Sequence, residues 1–233
     1  MTGMSKQSVM TKEQIAYNLL KKLIIKGELP KNEFLSQRML AEKVNTNLST
    51  MRTVLRQLES DHLMENVPKW GVRIPIDTEA SIRDRYFIRE LLEAGAVRLI
   101  IQRLNSGEVD TDKLGEKARI CDTVIKETPK NAKDIDKFAK AHQDFHVELA
   151  RQSGSPLLLE NLSRIHFQSL MFKNGISGWA HGSATNHISL VDIILHDKEE
   201  KAVNFIIEHI RGGLKNELRN LHLEQGQPDS QED

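Results

Sequence analysis

Two histidines four residues apart, His142 and His146, are the first pair in this sequence able to do chemistry together. On a helix four residues bring the side chain back to within about 40° of its start, so both rings can face one point. His187 and His209 follow downstream, and of nine histidines only His62 precedes residue 142. Neutral imidazole is a common ligand of zinc and nickel, and a helical bundle is a natural place to gather four of them. Read from the residues alone, the four are either a ligand set or separate histidines, each satisfied or exposed. A helical metalloenzyme would use the same cluster. It would also need an open water position and a general base beside the ion. Glu148 is near in sequence but falls on the wrong part of the helix for that work.

The segments that carry these histidines read as helix. Apolar residues recur at helical spacing from Ile82 to Arg103, through Phe87, Leu91, Leu92, Ala96, Leu99 and Ile100. Further helices are expected at 111–127, 132–152, 156–173, 184–196 and 198–222. Thr128-Pro129, the stretch from Ser153 to Pro156 and the glycine-containing stretch from Gly175 to Gly182 separate them. No strand-like alternation follows residue 80. The expectation is an all-α antiparallel bundle of about six helices over residues 77–233.

The first 76 residues read differently. Ile15, Leu19, Leu23 and Ile24 mark a helix from Lys12 to about Lys26, ended by Gly27 and Pro30. Ser36 caps a short second helix that stops near Val44. Asn47 caps a third, which carries Met51, Val54, Leu55 and Leu58 on one face. Two short extended runs, 63–67 and 71–74, flank a turn from Pro68 to Gly71. Three helices and a small β-hairpin describe a winged helix-turn-helix. Such a module lays its third helix in the major groove of double-stranded DNA. That places Ser49, Thr50, Arg52 and Arg56 outward, with Arg38 on the preceding helix and Lys69 and Trp70 at the wing tip. An arginine fork matches O6 and N7 of guanine together.

Charge supports the division. Formal net charge is zero, but residues 1–76 carry 12 Lys/Arg against 7 Asp/Glu, and the rest carries the compensating −5. With 39% hydrophobic and 28% charged residues the chain lies far from the composition of disordered proteins. One cysteine, Cys121, excludes an internal disulfide framework and is expected to pack as a small hydrophobe. No apolar run is long enough to span a membrane, and no signal-like segment follows Met1, so a cytoplasmic protein is expected.

Residues 13–74 resemble the winged helix-turn-helix of the GntR family of bacterial transcription regulators. The likeness rests on Leu35 to Glu42 (LSQRMLAE), Met51-Arg52, Leu55 to Glu59 (LRQLE) and Trp70-Gly71. The remainder resembles the FadR-type effector domain called FCD. Arg89 to Ala96 (RELLEAGA), Asp144 to Ala150 (DFHVELA), Gly154 to Leu157 (GSPL), His187 and His209 carry that second likeness. The recognition helix departs from the family pattern, with Leu48 in place of a frequent arginine and Thr50 in place of a frequent proline.

The resemblance implies a homodimeric regulator that binds an operator and responds to a small metabolite, with a carboxylate expected. It implies a divalent transition metal, zinc or nickel, held at His146, His187 and His209. The family's usual fourth ligand is an Asp where His142 stands here, so an all-histidine site is implied. Asp144 is no substitute, lying about 200° around the helix from His142. Arg89 matches an arginine that either grips the effector carboxylate or pairs with Glu93 four residues on. Arg164, His166, Trp179 and His181 are further pocket candidates.

Overall fold

The computed structural model of this chain describes residues 10–126, 132–172 and 186–224. Trp179, His181 and the breaks at Thr128-Pro129 and Gly175 to Gly182 lie outside the described residues. The chain divides into two compact units, residues 1–76 and 77–233.

In the first unit, α1 (Lys12–Ile25) starts at a capping box in which Thr11 and Gln14 satisfy each other's backbone N–H. Gly27, at φ +65°, takes the left-handed turn that ends it. Its inner face is turned by one residue from the sequence expectation. Ala16, Leu20 and Ile24 are buried, whereas Ile15 and Leu19 are exposed. Two adjacent rows of α1 are apolar, and the row that starts with small Ala16 is the one buried as α1 packs on α3.

Ser36 caps α2 (Gln37–Lys43), and Asn47 caps α3 (Leu48–Ser60) by accepting the Thr50 N–H at 2.8 Å. Met51, Val54, Leu55 and Leu58 fill the core beneath α3. Strands β1 (Glu65–Val67) and β2 (Gly71–Arg73) pair antiparallel, with Glu65 opposite Arg73 and an ion pair of 2.7 Å across them. Leu35 exchanges backbone hydrogen bonds with Val72 and ties the wing to the chain ahead of α2. Gly71 sits at φ +114°, and a Cβ there would lie 2.6 Å from the Leu35 carbonyl oxygen. Only glycine fits.

Among the described residues the second unit has six helices, as the periodicity predicts: α4 (Glu79–Leu104), α5 (Thr111–Lys126), α6 (Ala132–Gln152), α7 (Pro156–Phe172), α8 (His187–His196) and α9 (Glu199–Glu224). α4 lies along α9, α5 packs on α6 and α8, and α7 packs on α6. Val97, Ile100, Leu114, Phe145, Leu149, Leu190 and Ile206 form the centre of their core.

The apolar periodicity of α4 misidentifies part of its inner face. Phe87 and Leu91 are 61% and 55% exposed, while Arg85, Tyr86, Arg89 and Glu93 are buried. Burial of charge is tolerated because each group is paired. Arg85 binds Asp77 at 2.8 and 2.5 Å and Glu217 of α9 at 3.1 Å; Tyr86 donates to the same Glu217 at 2.7 Å. Among the described residues, no helix is long and apolar enough to cross a membrane.

Candidate metal centre and nucleic-acid interface

α6 presents His142 and His146 one turn apart, with Nε2 atoms 3.2 Å from each other. His209 of α9 brings its Nε2 to 3.3 Å from that of His146. His187, the first residue of α8, stacks edge-on against both His142 and His209, ring centres 5.1 and 4.7 Å away. One ligand atom from each of the four lies within 4.8 Å of the others. Two nitrogens on one ion at about 2.05 Å are ~2.9 Å apart at octahedral angles and ~3.3 Å at tetrahedral ones. The His142–His146 and His146–His209 spacings fall in that interval.

Two buried carboxylates decide which nitrogen each ring offers. His146 Nδ1 lies 2.5 Å from Glu93 Oε2, and His187 Nδ1 lies 2.7 Å from Asp122 Oδ1. An ionised carboxylate only accepts, so both Nδ1 atoms must donate, and Nε2 is the nitrogen each ring has left to offer a metal. This is the arrangement that orients histidine ligands around metals. Asp122 does a second job. The Asn186 side chain makes no cap bond at the start of α8. Asp122 reaches over from α5 and accepts the N–H groups of His187 at 3.2 Å and Ile188 at 3.0 Å. A negative charge at a helix N-terminus is favourable.

The electrostatics suit an incoming cation. Burial holds His142 and His209 well below the usual imidazole pKa and lowers His146 to about 3. Burial alone would raise the Glu93 carboxyl, but His146 and Arg89 outweigh it and hold Glu93 well below the usual range. Asp122 follows the same pattern: burial raises it, and the bonds from His187 and the Ile188 N–H overcome that. At neutral pH three of the four imidazoles are therefore neutral, as a metal requires.

The other sequence candidates divide. Arg89 makes the ion pair with Glu93, Nε to Oε1 at 3.0 Å, and its guanidinium lies over the Tyr86 ring at 4.9 Å. His166 joins the cluster, 3.5 Å from Glu93 Oε1 with its ring 5.2 Å from that of His146. Arg164 pairs instead with Glu160 at 3.2 Å, one turn back on α7. Asp144 faces Lys140 at 2.7 Å. Glu148 is buried and holds Gln152 at 2.7 Å, with Arg151 and Lys113 beside it, a structural clamp rather than a base. Cys121 is in the core as expected, but its Sγ is also 3.8 Å from His187 Nε2. Sequence reasoning missed Asp122 altogether and saw Glu93 only as a partner of Arg89.

On the amino-terminal unit Ser49, Arg52 and Arg56 are exposed on one side of α3, and Gln37, Arg52, Arg56 and Asn66 line a shallow pocket beside it. Thr53 and Gln57 share that exposed side and were missed, although a 100° helical step from Ser49 reaches them. Thr50 is a correction. It is only 7% exposed, its N–H is held by Asn47, and its hydroxyl faces Glu13 at 3.5 Å. The capping geometry turns it inward rather than outward as expected. Arg38 is exposed beside Glu42, at 3.3 Å. Lys69 is exposed, and Trp70, 69% exposed, leans on Phe34 with ring centres 5.4 Å apart.

A winged helix-turn-helix with free arginines on its reading helix, followed by a helical unit with a polar centre, defines a DNA-binding transcription regulator with its own ligand-sensing unit. Residues 12–74 match the gntR family of bacterial regulatory proteins, and residues 84–212 match the FCD domain. The chain belongs to the GntR family, in its FCD-bearing branch. It is 28% identical over 154 residues to the HTH-type transcriptional repressor GlaR of Escherichia coli K12, covering 64% of this chain and 66% of that one, about two thirds of the repressor's length. Over 180 residues it is 21% identical to the Nta operon transcriptional regulator of Aminobacter aminovorans, covering 77% and 81%. The fold matches Escherichia coli McbR/YncC with a TM-score of 0.70 at 16% identity, over 94% of this chain and 100% of the other. A GntR regulator from Rhodococcus sp. RHA1 gives 0.70 at 16%, over 90% and 98%.

Proposed function

We propose that His142, His146, His187 and His209 hold one divalent transition metal, zinc or nickel, and that a small carboxylate metabolite bound beside it controls operator affinity. The observation that carries this reading is the paired orientation of His146 by Glu93 and of His187 by Asp122. Histidines that merely fill a core need no carboxylate behind two of them. The metal supplies a positive centre for an effector carboxylate. Arg89, beside Glu93, and His166 are the protein groups closest to hand for the rest of that ligand. Arg164, held by Glu160, is the weakest member of that set.

DNA contact is assigned to Ser49, Arg52 and Arg56 on α3, Arg38 on α2, and Lys69 and Trp70 on the wing. A homodimer places two such units on paired half-sites. The exposed row Phe87, Ile88 and Leu91 on α4 is the apolar surface offered for that contact. A cytoplasmic location follows from this role.

Elemental analysis of protein purified without chelator tests the centre. The expected result is one zinc or nickel per chain, lost in a His187→Ala, His209→Ala double variant that still binds operator DNA. A full metal complement in the double variant refutes the assignment. Thermal shifts with a panel of small carboxylic acids, measured with and without metal, then test the effector class.

A further inference from the structure

We propose that the wing tip reads the floor of the DNA minor groove, where the Trp70 indole N–H selects an A·T pair at the flank of the operator. The inference rests on the DNA-contact assignment above and deepens it. Trp70 is 69% exposed, and among the described residues nothing accepts a hydrogen bond from its Nε1–H. The wing is continuous with the reading helix, since Arg52 and Arg56 of α3 and Asn66 of β1 line one shallow pocket. With α3 in the major groove, a turn projecting at its side reaches the neighbouring minor groove.

The exposed ring is held in place. The Trp70 backbone N–H donates to the Val67 carbonyl at 3.0 Å and closes a turn in which Lys69 takes φ +71°. A lysine adopts that conformation only at a cost. The indole leans on Phe34, ring centres 5.4 Å apart and planes at 33°. Phe34 precedes Leu35, whose backbone bonds to Val72 fix it to the wing at 2.7 and 3.1 Å. Arg73, paired with Glu65 at 2.7 Å, lies over the Phe34 ring at 5.9 Å. Core packing does not account for this platform, because Phe34 is itself 45% exposed.

The chemistry of the tip fits one kind of base pair. An indole N–H and a lysine ammonium are donors only. The minor-groove floor of A·T and T·A offers only acceptors, adenine N3 and thymine O2, whereas G·C adds the guanine 2-amino donor. Two donors therefore match A·T and oppose guanine. Lys69, a point charge on a flexible stem, adds attraction to the narrow groove without choosing a base. Trp70, braced by Phe34, supplies the direction.

Base analogues that alter one groove at a time test this with the full-length protein and an operator selected from random DNA. Each A·T pair flanking the α3 footprint is replaced by G·C, by inosine·C, which lacks the 2-amino group, or by diaminopurine·T, which adds it. At one flanking position G·C and diaminopurine·T should each weaken wild-type binding about 2–10-fold, the worth of one hydrogen bond, and inosine·C should restore it. Trp70→Phe keeps a ring and removes the donor, so it should lose this discrimination. Lys69→Ala should weaken all four duplexes alike and keep it. Equal wild-type binding to all four duplexes at every flanking position overturns the proposal and leaves α3 as the reading helix. So does a G·C loss that inosine does not repair, or discrimination that survives in Trp70→Phe or vanishes in Lys69→Ala. Failure to select any operator overturns the assignment of α3 as well. The wild-type analogue series is informative even if a variant fails to fold.

Discussion

Removal of Asp122 should loosen the metal centre and the fold together. Its carboxylate accepts three hydrogen bonds, from His187 Nδ1 at 2.7 Å and from the N–H groups of His187 and Ile188 at 3.2 and 3.0 Å. In Asp122→Ala, α8 loses the carboxylate that caps it, which costs ~1–2 kcal/mol. The buried His187 Nδ1–H also loses its acceptor, at ~1–3 kcal/mol. Part of this is recovered because a buried charge is no longer held out of water. A net loss of ~3 kcal/mol corresponds to a fall of roughly 6–12 °C in melting temperature for a unit of this size. The freed ring can also turn its lone pair away from the centre, so zinc affinity should drop about 10–100-fold. Asp122→Asn keeps one acceptor oxygen and should fall between. Calorimetry of metal-free protein and a competitive zinc titration measure the two effects separately. If Asp122→Ala binds zinc as tightly as wild type and melts at the same temperature, then Asp122 neither aims His187 nor caps α8.

Three further outcomes follow from other parts of the molecule. Metal-free protein should lose stability in acid: the folded His146 titrates at about 3 and the unfolded one near 6.5, so the unfolded chain binds more protons between those values. This group's contribution is complete above pH 6.5 and should be ~2 kcal/mol smaller at pH 5; equal urea midpoints at pH 7.5 and 5 would contradict it. Arg52→Ala and Arg38→Ala should each weaken binding to an operator selected from random DNA by ~1–3 kcal/mol while melting stays unchanged; normal gel-shift titrations for both would move the reading surface elsewhere. Gly71→Ala should cost at least ~1–3 kcal/mol, because φ is +114° and the new Cβ meets the Leu35 carbonyl; a wild-type melting curve would show that the wing turn has another solution.

The helices and the wing were legible in the sequence because their signals are local. Ser36 and Asn47 sit where the caps form, and the loop from Pro68 to Gly71 turns where expected. The His142–His146 pair was legible for the same reason, its spacing being a property of one helix. Asp122 and His187 are 65 residues apart, and no periodicity links a carboxylate on α5 to a ring on α8. The face of α4 was misjudged because hydrophobicity was taken as the mark of the inside. There the interior is partly polar, with Arg85 and Arg89 neutralised by carboxylates, and apolar Phe87 and Leu91 are left outside. Thr50 was misplaced because a residue in the first turn of α3 answers to the cap of Asn47 as well as to the helical wheel.

The joint of Asp77, Arg85, Tyr86 and Glu217 behaves like the teeth of a ratchet. Two helices that touch only through methyl groups can creep past one another in small increments, with each contact traded for a similar one. Here a slide of α4 along α9 by less than a full turn would pull the Arg85 guanidinium and the Tyr86 hydroxyl off the buried Glu217 carboxylate, while Asp77 travels with α4. Intermediate positions are therefore the costly ones. Asp77, the first residue after the amino-terminal unit, is gripped by the same arginine. A shift at the start of α4 that parts Arg85 and Tyr86 from Glu217 is accordingly costly until new partners are met, which favours discrete seats over a drift.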